Sequence, residues 1–233
     1  MPASSQVSPR VEVLADAAAV AARGAAFLVA ELGTAVAARG RATLALSGGR
    51  TPLAMLQALA AANLPWDVID VFQVDERCTP PGHDERNAVQ LSRALGELAR
   101  ERPAKFHWMP LDALAPRNAA ERYASELAAH AGTPPVIDVV QLGLGADGHT
   151  ASLFPNAVQD EVTPTVAVAP AAAGWPRLTL TLPVINGARR IVWLVTGADK
   201  RAALAGMLAG ETSVVGSRVR RDALVLADRA AAG

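Results

Sequence analysis

The chain has 233 residues, 51% hydrophobic, 19% charged and 4% aromatic, with 22 Lys+Arg balanced by 22 Asp+Glu. That length can bury a substantial core, and the charge balance gives no electrostatic reason to bind nucleic acid or an anionic membrane. A lone Cys78 excludes an intramolecular disulfide, and four scattered histidines beside it argue against a Cys/His zinc site.

Residues 1–9 have no basic start followed by an apolar core, so they do not read as a leader. Helical spacing of apolar residues predicts a helix over residues 20–38. Every window of 18 residues carries a charge, which gives no support for a membrane span. Residues 42–46 are a short apolar run cut by Ser47-Gly48-Gly49, after which Pro52 opens a periodic stretch to residue 62: strand, glycine turn, helix. Residues 68–74 read as a second strand, ending in Asp75-Glu76-Arg77 and a loop through His83. Helices are expected over residues 87–98 and 118–130, then a buried-type strand over 136–142.

Further strands are expected over residues 162–168, 178–182 and 191–195, with 169–176 a surface loop. A helix over 200–208 and a strand over 223–226 complete the chain. Strands alternating with helices imply an α/β domain with a mostly parallel sheet and right-handed crossovers. One domain over residues 1–233 is expected, with residues 1–9 flexible.

Parallel sheets bind ligands at the carboxyl ends of their strands. Four polar clusters fall there: residues 47–51, 75–77, 143–150 and 197–200. Ser47-Gly48-Gly49-Arg50-Thr51 puts backbone N–H groups and hydroxyls at a helix start, either as an anion site or as a tight turn. It matches neither a Walker A loop nor a dinucleotide fingerprint. Asp75-Glu76-Arg77 is a solvated loop or, functionally, a carboxylate for sugar hydroxyls and an arginine for a phosphate. The charges of residues 84–87 fit a solvated helix start.

In Gly143-Leu144-Gly145-Ala146-Asp147-Gly148-His149, an imidazole sits among backbone donors, either moving protons at neutral pH or capping the next helix. His83, His107 and His130 read as structural or solvated. Lys200 is a surface lysine or, because a cation at a helix N-terminus is unfavourable, a phosphate ligand. Arg177 is a weaker candidate of that kind.

Together, Ser47 to Pro52, Val74-Asp75-Glu76-Arg77 with Asn87 ten residues on, the run from Gly143 through His149 to Pro155, and Gly197-Ala198-Asp199-Lys200 resemble the 6-phosphogluconolactonase family, in order and separation, from about residue 10 to residue 228. Related glucosamine-6-phosphate deaminases carry a carboxylate shortly after the histidine, where this chain has Ser152-Leu153-Phe154-Pro155. The resemblance implies a three-layer sandwich around a modified, Rossmann-like parallel sheet. It also implies hydrolysis of 6-phospho-D-glucono-1,5-lactone to 6-phosphogluconate in the oxidative pentose phosphate pathway, without metal or organic cofactor.

The implied catalytic residues are His149, Asp75 and Arg77, and the sugar-phosphate ligands are Ser47, Gly48, Gly49, Arg50, Thr51, Gly145, Asp147, Gly148, Arg177 and Lys200. Asp75 either fixes His149 or binds a hydroxyl. A cytoplasmic monomer or homodimer with no nucleic-acid or membrane partner is expected. The competing expectations are a deaminase-like enzyme and a sugar-phosphate sensor domain.

Overall fold

The computed structural model describes residues 9–49, 51–102, 105–111, 115–155, 164–172 and 174–233. Arg50 and the start of the strand expected at 162–168 lie outside the described residues. Seven strands form a wholly parallel sheet in the order β1 (Arg10–Leu14), β10 (Leu224–Asp228), β9 (Arg190–Val195), β6 (Val139–Gly143), β2 (Ala42–Leu46), β3 (Ile69–Gln73) and β5 (Phe106–His107).

From β2 the chain builds outward through β3 to β5, then returns to lay β6 on the other side of β2 and builds the opposite way. The reversal between β2 and β6 opens the crevice in which sheets of this kind hold ligands. Ser47, just past β2, is tied across it: its Oγ donates to the Gln141 carbonyl at 3.0 Å and its N–H to Gln141 Oε1 at 3.2 Å.

The central strands are buried on both faces, which is why they read as unbroken apolar runs. Side chains alternate along them, so Leu44, Leu46, Val71, Val192 and Leu194 face a layer built by α1 (Ala17–Arg39), α2 (Leu53–Ala60) and α3 (Asn87–Leu95). Ala45, Phe72, Val140, Leu142, Trp193 and Val195 face the layer of α5 (Pro116–Ala131), α6 (Leu182–Gly187) and α7 (Arg201–Ala209). Truncating a fully buried residue such as Leu44 to alanine costs about 2–5 kcal/mol in such a core.

By length and composition α1 is long and apolar enough to cross a bilayer, although it carries Arg23 and Glu31. It serves instead as a core helix, with Val20, Gly24, Leu28 and Leu32 buried and Arg23 paired to Glu12 on β1 at 2.7 Å. Asp16 caps its start, accepting from the Ala19 N–H at 2.9 Å.

Three expectations need correction. Residues 87–98 are not one helix: the chain breaks at Gly96 (φ 55) into α3 and a short α4 (Glu97–Glu101). Asp75-Glu76-Arg77 is not a loop but a strand, β4 (Asp75–Arg77), in a second, antiparallel sheet with β8 (Trp175–Leu180) and β7 (Val166–Ala172). Of the stretch 169–176, residues 169–172 and 175–176 are therefore paired strand rather than surface loop. A connection that short joins antiparallel neighbours only, whereas a parallel crossover needs a dozen residues or more. Alternating Val and Thr fit either sheet, so periodicity did not distinguish them.

Candidate active site

The β2–α2 turn, β4, the loop after β6, β8 and the turn after β9 converge on one cleft of about 800 Å³. Ser47, Gly48, Gly49, Thr51, Asp75, Arg77, Gly145, His149, Arg177 and Lys200 all line it. Asp147 and Gly148 do not line it; they belong to the loop that carries His149 and bond within it. Asn87, Thr196 and Asp199 also line the cleft and were not among the expected ligands. Asn87 was visible in the sequence only as part of a motif, because its role depends on contacts made across the fold.

The His149 ring is held from behind. Its Nδ1 lies 2.5 Å from Asp147 Oδ1, and its backbone N–H donates to the same oxygen at 3.2 Å. Burial works against the Asp147 charge, but the His149 hydrogen bonds outweigh it and hold this carboxyl below the usual range. An ionised carboxylate only accepts, so Nδ1 carries a proton, and in the neutral ring the lone pair is on Nε2. Phe154 packs its ring against the imidazole, centroids 4.9 Å apart.

Two of the cleft's glycines are required by packing. A Cβ at Gly145 would overlap the His149 ring and the Asp147 carboxylate, and one at Gly48 would overlap the Asn87 side chain. The Gly145 N–H donates to the His149 carbonyl at 2.8 Å and the Gly148 N–H to the Gly145 carbonyl at 3.0 Å. Those two amides thus build the turn rather than face a ligand. Beyond it, Ala151 takes φ 52, a left-handed conformation that costs a non-glycine residue about 1–3 kcal/mol. The next residue, Ser152, is buried and turned onto Asp75.

Asp75 is buried, with Ser152 Oγ donating to its Oδ2 at 2.6 Å and Asn87 Nδ2 to its Oδ1 at 3.2 Å. Burial pushes its carboxyl up, against the pull of the Ser152 hydrogen bond and of the Arg177 and Arg77 charges. Glu76, which a solvated loop would have exposed, is fully buried. Its carboxylate accepts from the N–H groups of Arg77, Asn87 and Ala88, each at 2.7 Å, and so caps α3 from the neighbouring strand. Of residues 84–87, the charges of Asp84 and Glu85 are solvated as expected, while Arg86 and the neutral Asn87 are buried.

Arg77 and Arg177 are direct partners across the β4–β8 ladder. Like charges opposite one another on neighbouring strands are destabilising. Burial and the Arg77 charge both push the Arg177 guanidinium down. The pair brings two guanidinium groups to the wall of the cleft. Arg77 Nη1 is braced by the Glu85 carbonyl at 2.6 Å, and the Arg177 guanidinium sits 5.7 Å from the Phe154 ring centroid. Across the cleft, Lys200 precedes α7 with its Nζ 3.2 Å from Asp199 Oδ2, and Thr51 meets Thr196 at 3.4 Å.

The family model described as glucosamine-6-phosphate isomerases/6-phosphogluconolactonase matches residues 15–223. The chain belongs to this family. Within it, the 6-phosphogluconolactonase of Synechocystis sp. is 39% identical over 209 residues, covering 88% of this chain and 87% of that protein. The 6-phosphogluconolactonase of Mycobacterium tuberculosis is 37% identical, covering 97% of this chain and 98% of its own. A solved structure of 6-phosphogluconolactonase from Trypanosoma cruzi superposes with a TM-score of 0.86 at 26% identity, covering 97% of each chain.

Proposed function

We propose that this chain is a lactone hydrolase that converts 6-phospho-D-glucono-1,5-lactone to 6-phosphogluconate in the pentose phosphate pathway. The observation that carries this reading is the shared cleft: the His149 imidazole, its Nδ1 held by Asp147, and the cations Arg77, Arg177 and Lys200 line the same space. The named lactonase relatives support it independently.

His149 Nε2 takes a proton from water as the water oxygen bonds to the lactone carbonyl carbon, a role worth about 10²–10⁴-fold. Arg77 faces the oxyanion that forms; one such donor contributes about 2.7–4 kcal/mol. Breakage of the bond from the carbonyl carbon to the ring oxygen follows, and His149 returns its proton to that oxygen. Asp147 fixes the imidazole tautomer and orientation. Asp75, already bonded through both oxygens, aligns a sugar hydroxyl with its remaining lone pairs. The turn from Ser47 to Thr51, with Lys200 and Arg177, holds the 6-phosphate, and this remote binding energy orients the reacting carbon.

A cytoplasmic setting suits such an enzyme, since Cys78 is the chain's sole cysteine and no disulfide is needed. The test is 6-phosphogluconate formation from freshly generated lactone, coupled to its dehydrogenase, with and without the protein. The expected result is a rate well above spontaneous hydrolysis for the phosphorylated lactone and little above it for gluconolactone. Equal acceleration of both would remove the phosphate anchor from the mechanism.

A further inference from the structure

We propose that Asp70, His107 and His130 form a second site, away from the cleft, that takes a divalent transition metal of the zinc class. The histidines are not scattered in space as they are along the chain: the rings of His107 and His130 lie 4.3 Å apart. Asp70 comes from β3, His107 from the edge strand β5 and His130 from the end of α5, and their candidate ligand atoms all lie within 4.8 Å of one another. Asp70 Oδ1 is 3.0 Å from His107 Nε2, and Asp70 Oδ2 is 3.3 Å from His130 Nδ1. Bonds of about 2.0–2.1 Å in a tetrahedral zinc site put neighbouring ligand atoms about 3.3 Å apart, so little rearrangement is needed.

The imidazoles are also preset. Phe72 stacks on His107, with centroids 4.5 Å and planes 12° apart, and meets His130 edge-on at 5.8 Å. His107 Nδ1 lies 2.7 Å from Glu126 Oε1, which directs Nε2 toward Asp70. A carboxylate on the far nitrogen of a histidine is how metal sites fix the ligating tautomer. Asp70 and His107 are buried while His130 is half-buried, leaving a route in and a fourth position for water.

Lys105 Nζ, 3.6 Å from Asp70 Oδ1, is the resident cation that the metal would displace, on a side chain long enough to swing outward. None of the three lines the cleft, and Asp70 lies near the start of β3 whereas the cleft opens past the carboxyl ends of the strands. The metal's role is accordingly structural: it clamps a strand two residues long to the neighbouring helix.

Cobalt(II) and zinc(II), added to the full-length chain, test this. Cobalt is expected to give the intense visible bands of a tetrahedral site, zinc to abolish them, and zinc to raise the Tm. His130→Ala is expected to lose the bands and the Tm rise while keeping lactonase activity. Glu126→Gln, which removes only the supporting carboxylate, is expected to weaken zinc about 10–100-fold. His149→Ala keeps the bands, which separates this site from the cleft. Lack of cobalt bands in the unmodified chain, or bands of unchanged strength in His130→Ala, would overturn the proposal.

Discussion

Ser152 Oγ donates to Asp75 Oδ2 at 2.6 Å, joining the loop after His149 to a strand 77 residues earlier. This contact bears on which carboxylate serves which partner. Asp147 holds the imidazole, whereas Asp75 is fixed by Ser152 and Asn87. Where the deaminase pattern has a carboxylate, this chain uses its segment to brace one.

Ser152→Ala leaves a buried carboxylate oxygen without its donor. The expected cost is about 1–3 kcal/mol, at about 2–4 °C of Tm per kcal/mol for a chain of this size. Thermal melts at neutral pH read it, and an unchanged Tm would mean that the hydrogen bond contributes nothing net.

Asp75→Asn probes the same pair from the other side. Burial raises the Asp75 carboxyl in the folded state. Its contribution to stability is therefore fully present below the unfolded value of about 3.9 and is lost as pH rises through the folded value. An asparagine does not titrate, so the variant should melt above the parent at neutral pH, with the gap closing toward pH 4. Activity falls in the same variant. A gap that widened toward acid would reverse the sign assigned to Asp75.

His149→Ala should lower kcat by about 10²–10⁴ with the product Kd nearly unchanged, as expected for a group acting on protons. Asp147→Asn should also lower kcat, less severely, because the ring keeps its place but loses the charge that supports its tautomer. Single-turnover kinetics separate these effects from binding. Near-normal turnover in His149→Ala would move the base elsewhere.

Lys200→Ala and Arg177→Met should act mainly on KM for the phosphorylated lactone and barely alter the slow reaction of gluconolactone. A charged hydrogen bond contributes about 1.5–3 kcal/mol, or roughly 10–150-fold in affinity. Isothermal titration with 6-phosphogluconate and with gluconate measures the difference. Equal losses for both ligands would place these cations away from the phosphate.

The parallel sheet was legible because its strands are buried on both faces and so read as apolar runs, residues 42–46 and 191–195 most plainly. The small antiparallel sheet was not. Asp75-Glu76-Arg77 has the composition of a loop, and only the backbone amides of residues 87 and 88 explain how Glu76 can be buried there. The cleft's four motifs could be read from strand ends, but the partners of His149 and Asp75 could not, since Asp147 competes with Asp75 on chemistry alone and distance decides between them. Asp70, His107 and His130 meet only because an edge strand and a helix end fold over β3, a relation with no local signature.

The most direct measurement is a crystal structure of the chain with 6-phosphogluconate bound. One molecule should span the cleft, its carboxylate carbon against His149 Nε2 and its phosphate on Lys200, Arg177 and the turn from Ser47 to Thr51. A phosphate seated outside that cleft, or a carboxylate turned away from His149, would contradict the claim that proton transfer and anion grip act on one bound sugar.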